Sequence, residues 1–139
     1  MEINLVTDAL NEIIHLHGLI EKCFRREVID VEKEKSEFMS HFHPDFFMIA
    51  ASSANLNYHG LENWYSSALG TRLGVEITIV NPSVRFITKD GTVIITFEEE
   101  QRFNSQFTSR ISTAILQFET NLNKFLWLHL QETWIIPGS

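Results

Sequence analysis

His129 and Gln131 stand two apart in the last apolar run of the chain, FLWLHLQETW. In an extended segment, residues two apart share a face. Phe125, Trp127, His129, Gln131 and Thr133 therefore project one way, and Leu126, Leu128 and Leu130 the other. Histidine titrates near neutrality, so His129 can act as an acid or a base. Glu98, Glu100 and Arg102 alternate on another extended segment, and Arg110 lies on the next one. That face is either a salt-bridged exterior or, if concave, a carboxylate beside an arginine in a pocket, where both groups titrate abnormally. His41-x-His43-x-Asp45 offers zinc-type ligands. Pro44 interrupts it, however, and no fourth ligand follows, so it is not read as a metal site. His15 and His17, two apart on a helix, point in different directions and read as surface or core-edge residues. Cys23 lies in an apolar helical pattern and reads as a buried, inert thiol.

These residues need elements to hold them. Leu5, Ala9, Ile13, Leu16, Ile20 and Phe24 recur at helical spacing, which predicts a helix over 4–27. Asp30 is a candidate N-cap for a shorter helix over 30–41, ended by Pro44. A buried strand follows from Phe46 to Ala51, then a short strand or turn over 55–60 and a short helix from Leu61 to Leu69. From Val75 the period changes to two. Asn81-Pro82 interrupts the first long strand and predicts a bulge, and Asp90-Gly91 is a hairpin turn. Strands over 92–103, 107–119 and 124–136 complete the chain. At about 12 residues they exceed the usual ~5–6, and strands that long must twist and coil. The expected fold is α+β: a cone-shaped, strongly curved antiparallel sheet wrapped around two to three N-terminal helices.

The chain has 139 residues, enough for one domain with its own core. A net charge of −7 and the lack of a basic, aromatic-interleaved patch weigh against nucleic acid. A lone cysteine allows no intrachain disulfide and suits a reducing cytoplasm. MEINLVTDAL lacks a basic stretch before an apolar run, so no signal peptide is expected, and no segment is long enough to span a membrane. The 11 phenylalanines must fill a core or a pocket.

The order of elements, with HPDFFMI opening a strand, YHGLENW turning into a helix and FLWLHLQETW ending the chain, resembles the nuclear transport factor 2-like superfamily. That group includes SnoaL-like polyketide cyclases, ketosteroid isomerases and uncharacterised members with a cystatin-like α+β fold. The resemblance covers nearly the whole chain and implies one such domain over 1–139. It implies a pocket between the concave face and the helices, and a homodimer through the convex sheet face. Many relatives carry His-x-His-x-Ser near the end. The matching stretch here places His129 and Gln131 toward the cavity and Leu126, Leu128 and Leu130 toward a partner subunit. Tyr58 and Trp64 would line the pocket mouth, and Glu98, Arg110 and Trp127 would join them as ligand contacts.

The chain departs from the family's enzymes. Ketosteroid isomerases use a pocket tyrosine and an aspartate base on the strand after the Pro-Asp position, yet that stretch reads Phe47-Met48-Ile49-Ala50-Ala51. Aspartate occurs only at Asp8, Asp30, Asp45 and Asp90, so the late-strand aspartates of the cyclases are missing too. The expected function is a homodimeric pocket protein binding a small, largely apolar molecule without a cofactor. The alternatives are a lyase or isomerase with His129 as acid or base, and an oligomeric adaptor resembling the association domain of calcium/calmodulin-dependent kinases.

Overall fold

The computed structural model describes residues 4–138; the ends of the expected 1–139 domain, residues 1–3 and 139, lie outside the described residues, as does part of the segment read as lacking a signal peptide. Three helices, α1 (Leu5–Arg25), α2 (Val31–Met39) and α3 (Tyr58–Ala68), pack on a six-stranded sheet. Its strands are β1 (Phe42–Ile49), β2 (Asn55–Asn57), β3 (Glu76–Ile87), β4 (Thr92–Phe103), β5 (Gln106–Glu119) and β6 (Lys124–Ile136). They run in the order β2-β1-β6-β5-β4-β3, so β2 and β3 are free edges and the sheet does not close. Every pairing is antiparallel except that of β1 with β6. The antiparallel sheet expected from the sequence is present, with this one parallel pair. The exception arises because four strands and a helix separate β1 from β6, which returns beside it in the same direction.

Each helix begins with a side-chain oxygen accepting from a backbone N–H of its first turn: Asn4 from Thr7, Asp30 from Lys33 and Asn57 from Gly60. These bonds satisfy N–H groups that have no partner inside the helix. α1 ends with Arg26 in the left-handed region. The carbonyls of Cys23 and Phe24 there accept from the backbone N–H groups of Gly70 and Arg72, at 2.9 and 3.0 Å. The loop leaving α3 is thereby tied to the end of α1.

The register shifts at five places among the described residues, three of which bear on the argument. In β3 one extra residue enters at Asn81-Pro82, with Asn81 at φ 52°, on an edge strand that tolerates proline. In β6, Trp127 pairs with Leu116 and His129 with Ile115, so Leu128 is an inserted residue. In β1 the register with β6 shifts between Phe42 and Phe47, around Pro44. The second helix ends at Met39 with Ser40 as its C-cap, and Pro44 lies inside a strand, a correction to the reading that made it the helix stop. The missing proline N–H falls where the ladder is already irregular, and so does no harm.

The core lies between the helices and the concave face. α1 contributes Ala9, Ile13, Leu16 and Cys23, and the sheet contributes Val93, Ile95, Phe97, Ala114, Leu116 and Trp127. Trp127 is fully buried, and its Nε1–H donates to Glu12 Oε2 at 2.9 Å. The same oxygen meets His41 Nδ1 at 2.8 Å, so one carboxylate joins α1, β6 and the start of β1.

Candidate functional site

A cavity of about 500 Å³ lies between the concave face and the helices. This is within the usual range of small-molecule pockets, ~300–1,000 Å³. Its walls are largely aromatic and aliphatic, with Phe24, Phe38, Phe42, Phe46, Leu61 and Trp64 prominent. Trp64 stacks edge-on against Phe24, with ring centroids 5.7 Å apart. Its charged and amide-bearing residues are His17, Arg72, Glu99, Gln101, Arg110 and Glu132, and Ser52, Ser67 and Thr71 add hydroxyls.

The strand period supplies two of these. Val93, Ile95 and Phe97 alternate into the core, and the same parity carries Glu99 and Gln101 inward, 4% and 5% exposed. Helical spacing supplies His17, one turn after Ile13 and two before Phe24, 4% exposed on the buried face of α1. Arg72 is placed by its backbone bond to the Phe24 carbonyl. Arg110 pairs with Glu99 across β4 and β5 and with Trp134 across β5 and β6.

These side chains form a directed chain of hydrogen bonds. His17 Nδ1 meets the Ile13 carbonyl at 2.8 Å, and its Nε2 meets Glu99 Oε1 at 3.2 Å. Both partners accept only, so both ring nitrogens donate and the ring is an imidazolium. Glu99 Oε2 accepts from Gln101 Nε2 at 2.5 Å, and Gln101 Oε1 accepts from Arg72 Nη1 at 2.9 Å. Burial alone would lower the His17 pKa, but the charge and hydrogen bond of Glu99, with the Ile13 carbonyl, outweigh it and raise it. Burial alone would raise that of Glu99; His17, then Arg110 and Gln101, outweigh it and hold the carboxyl at about 2.

Glu132 is held more loosely. Its oxygens lie 3.4 and 3.5 Å from Arg110 Nη1, and Oε1 accepts from the Ala51 N–H at 3.4 Å. Burial raises its pKa; Arg110 opposes the rise and Glu99 adds to it. The Arg110 guanidinium stacks on Trp134 at 4.5 Å, and that of Arg72 on Phe24 at 5.2 Å. The Arg72 pKa is lowered by burial and by the neighbouring charge of Arg110.

Of the residues singled out from the sequence, Trp64 and Arg110 line this cavity, and Tyr58, Glu98, Trp127, His129 and Gln131 do not. The bulge at Leu128 explains the last two. It reverses the alternation of β6, so Trp127 before it and Leu130 and Glu132 after it face inward. His129 and Gln131 turn to the outer face, a correction to the parity reading. His129 Nδ1 lies 2.9 Å from the Phe47 carbonyl, and its ring stacks on Phe47 with centroids 4.2 Å apart. The three leucines do not share a face: Leu130 lines the cavity, Leu126 is buried and Leu128 is the inserted residue. Glu98 faces out, with Oε2 accepting from Asn81 Nδ2 at 3.3 Å. His17, Arg72, Glu99 and Gln101 were missed as site residues. For His17, Glu99 and Gln101, continuation of an apolar stripe or alternation into polar residues was a usable signal. Arg72, in a loop, has no such period.

No family model and no curated protein matches the chain. Solved structures do. A nuclear transport factor 2-like protein of unknown function from Pseudomonas aeruginosa superposes with a TM-score of 0.82 at 27% identity, over 89% of this chain and 95% of that one. A CaMKII hub from S. rosetta gives 0.74 at 10% identity, over 96% and 99%. A protein of unknown function with a cystatin-like fold from Nostoc punctiforme gives 0.65 at 14% identity, over 91% and 92%. Open curved sheet, three covering helices and the cavity between them together are the nuclear transport factor 2-like fold, and the chain is similar to members of that superfamily whose function is unknown.

Proposed function

We propose that the chain is a single domain over residues 1–139 that binds a small, largely apolar molecule in this cavity, acting as a homodimer in the cytoplasm. The observation that carries the reading is the cavity itself: about 500 Å³, mostly aromatic-walled, with all of its charged groups in one cluster. A core evolved only for packing has no reason to keep such a space. Filling it with side chains would gain dispersion contacts and stability.

Self-association is supported by a row on the outer face. Phe86, Ile94, Ile115, His129 and Phe47 are register partners across β3, β4, β5, β6 and β1. Phe86 is 58% and Phe47 52% exposed. Likeness to a protein described as a hub favours the same reading. A single cysteine, buried and free, supports a reducing compartment. Among the described residues no helix is long and apolar enough to cross a membrane. The lyase or isomerase alternative relied on His129, which lies outside the cavity.

Native mass spectrometry of freshly purified protein, set against the denatured mass, tests the proposal. The expected result is twice the chain mass plus a reproducible small-molecule increment. A bare species under conditions that retain known ligands in other proteins would count against the pocket, and a monomer against the interface.

A further inference from the structure

We infer that the polar end of the cavity seats the carboxylate of an amphipathic monoanion between Arg72 and Arg110; this rests on the pocket reading above and names the chemistry of its ligand. Three observations lead there. First, Arg110 Nε is buried and has no hydrogen-bond partner, and the contacts of Arg110 with Glu132 are 3.4 and 3.5 Å. Charge-assisted bonds between such groups normally run to about 2.7–2.9 Å, so the fork of Arg110 is under-used. A buried donor left unpaired is destabilising, and a ligand acceptor would remove that cost.

Second, among the described residues no carboxylate lies within ion-pair distance of Arg72. One of its donors goes to Gln101 and the rest are free for a ligand. Glu99 is committed instead to His17 and Gln101. The charges in the lining then sum simply. His17 and Glu99 cancel, and two arginines face one further carboxylate, Glu132. At least one positive charge is left over.

Third, the shape of the donors and the size of the excess select the ligand. Guanidinium forks match a planar carboxylate, and packing over the Phe24 and Trp134 rings restrains both heads in advance. With Glu132 ionised the excess is one charge, which matches a monocarboxylate and leaves a phosphate dianion under-compensated. The remaining walls, among them Phe38, Phe42 and Trp64, take an aromatic or aliphatic body.

The test is isothermal titration of the full chain at pH 7 with a matched pair of probes, 4-phenylbutyrate and its neutral amide. The acid is expected to bind at least tenfold more tightly than the amide. Arg72→Gln and Arg110→Gln should each weaken the acid about tenfold and leave the amide unchanged, with circular dichroism verifying the fold. Arg110→Lys, which keeps the charge and loses the fork, should fall between. Equal binding of acid and amide, or acid binding indifferent to both arginines, overturns the carboxylate seat while the pocket reading stands. Binding of neither probe also overturns the seat. The native mass then separates the two readings: an increment of another chemistry keeps the pocket, and a bare chain removes both.

Discussion

His17 and Glu99 form a buried ion pair whose members depend on each other for their charge. Removing one member of such a pair leaves the other uncompensated, which typically costs about 3–5 kcal/mol. Glu99→Gln should lose about that much in urea unfolding at pH 6. The pH dependence has two limbs with opposite signs. His17 has a folded pKa above its ordinary 6.5, so its contribution is complete below pH 6.5 and lost as pH rises through the raised value. Glu99 has a folded pKa of about 2 against an ordinary 4.5, so its contribution is complete above pH 4.5 and lost as pH falls toward 2. Wild-type stability should therefore be greatest from this pair between about pH 4.5 and 6.5, with both limbs flattened in Glu99→Gln; equal slopes in the two proteins would contradict the assignment. Cys23 tests burial more simply. Its Sγ–H donates to the Tyr65 carbonyl at 3.5 Å, and burial lifts its pKa to about 11. Iodoacetamide at pH 8 should label it only after unfolding, since the thiolate is the reacting form; labelling of the native protein would refute a closed core there.

The loop after α3 does two jobs: it caps the end of α1 and delivers Arg72. Gly70 makes this possible. It sits at φ +73°, and a Cβ there would lie 3.4 Å from the Arg26 side chain. A non-glycine residue in the left-handed region costs about 1–2 kcal/mol. Gly70→Ala should lose that much stability, and because the Arg72 N–H is bound two residues on, it should also weaken the acid probe more than the amide. Titration and thermal melts on the same sample separate the effects; an unchanged acid-to-amide ratio would show that the cap does not position Arg72. At this scale most elements were legible. Every helix was anticipated, with ends displaced by a few residues, because apolar period and capping residues are local signals. β4 and β6 were anticipated at 92–103 and 124–136. The Asn81-Pro82 bulge was legible too, since proline and a left-handed asparagine mark it. The bulge at Leu128 was not: a leucine among leucines carries no local mark, and one inserted residue reverses every side chain beyond it.

For the whole molecule, the outer row should be the site of self-association. Phe47 and Ile115 flank His129 there and contribute nothing to the cavity lining. Phe47→Asp and Ile115→Asp should each convert a dimer to a monomer in light scattering, with unchanged circular dichroism, because burying an unpaired carboxylate in an apolar contact costs several kcal/mol. A dimer that persists in both variants would move the interface elsewhere. Local pattern alone determined the α+β class, the order of elements, the curvature demanded by long strands and the likeness to the cone fold. Those follow from period, turn chemistry and strand length, which act between near neighbours. Tertiary structure alone decided the site. His17 comes from the first helix, Arg72 from a loop, Glu99 and Gln101 from β4, Arg110 from β5 and Glu132 from β6. Their meeting depends on strand register and on where an extra residue enters the ladder, and register is set by how two distant segments pack.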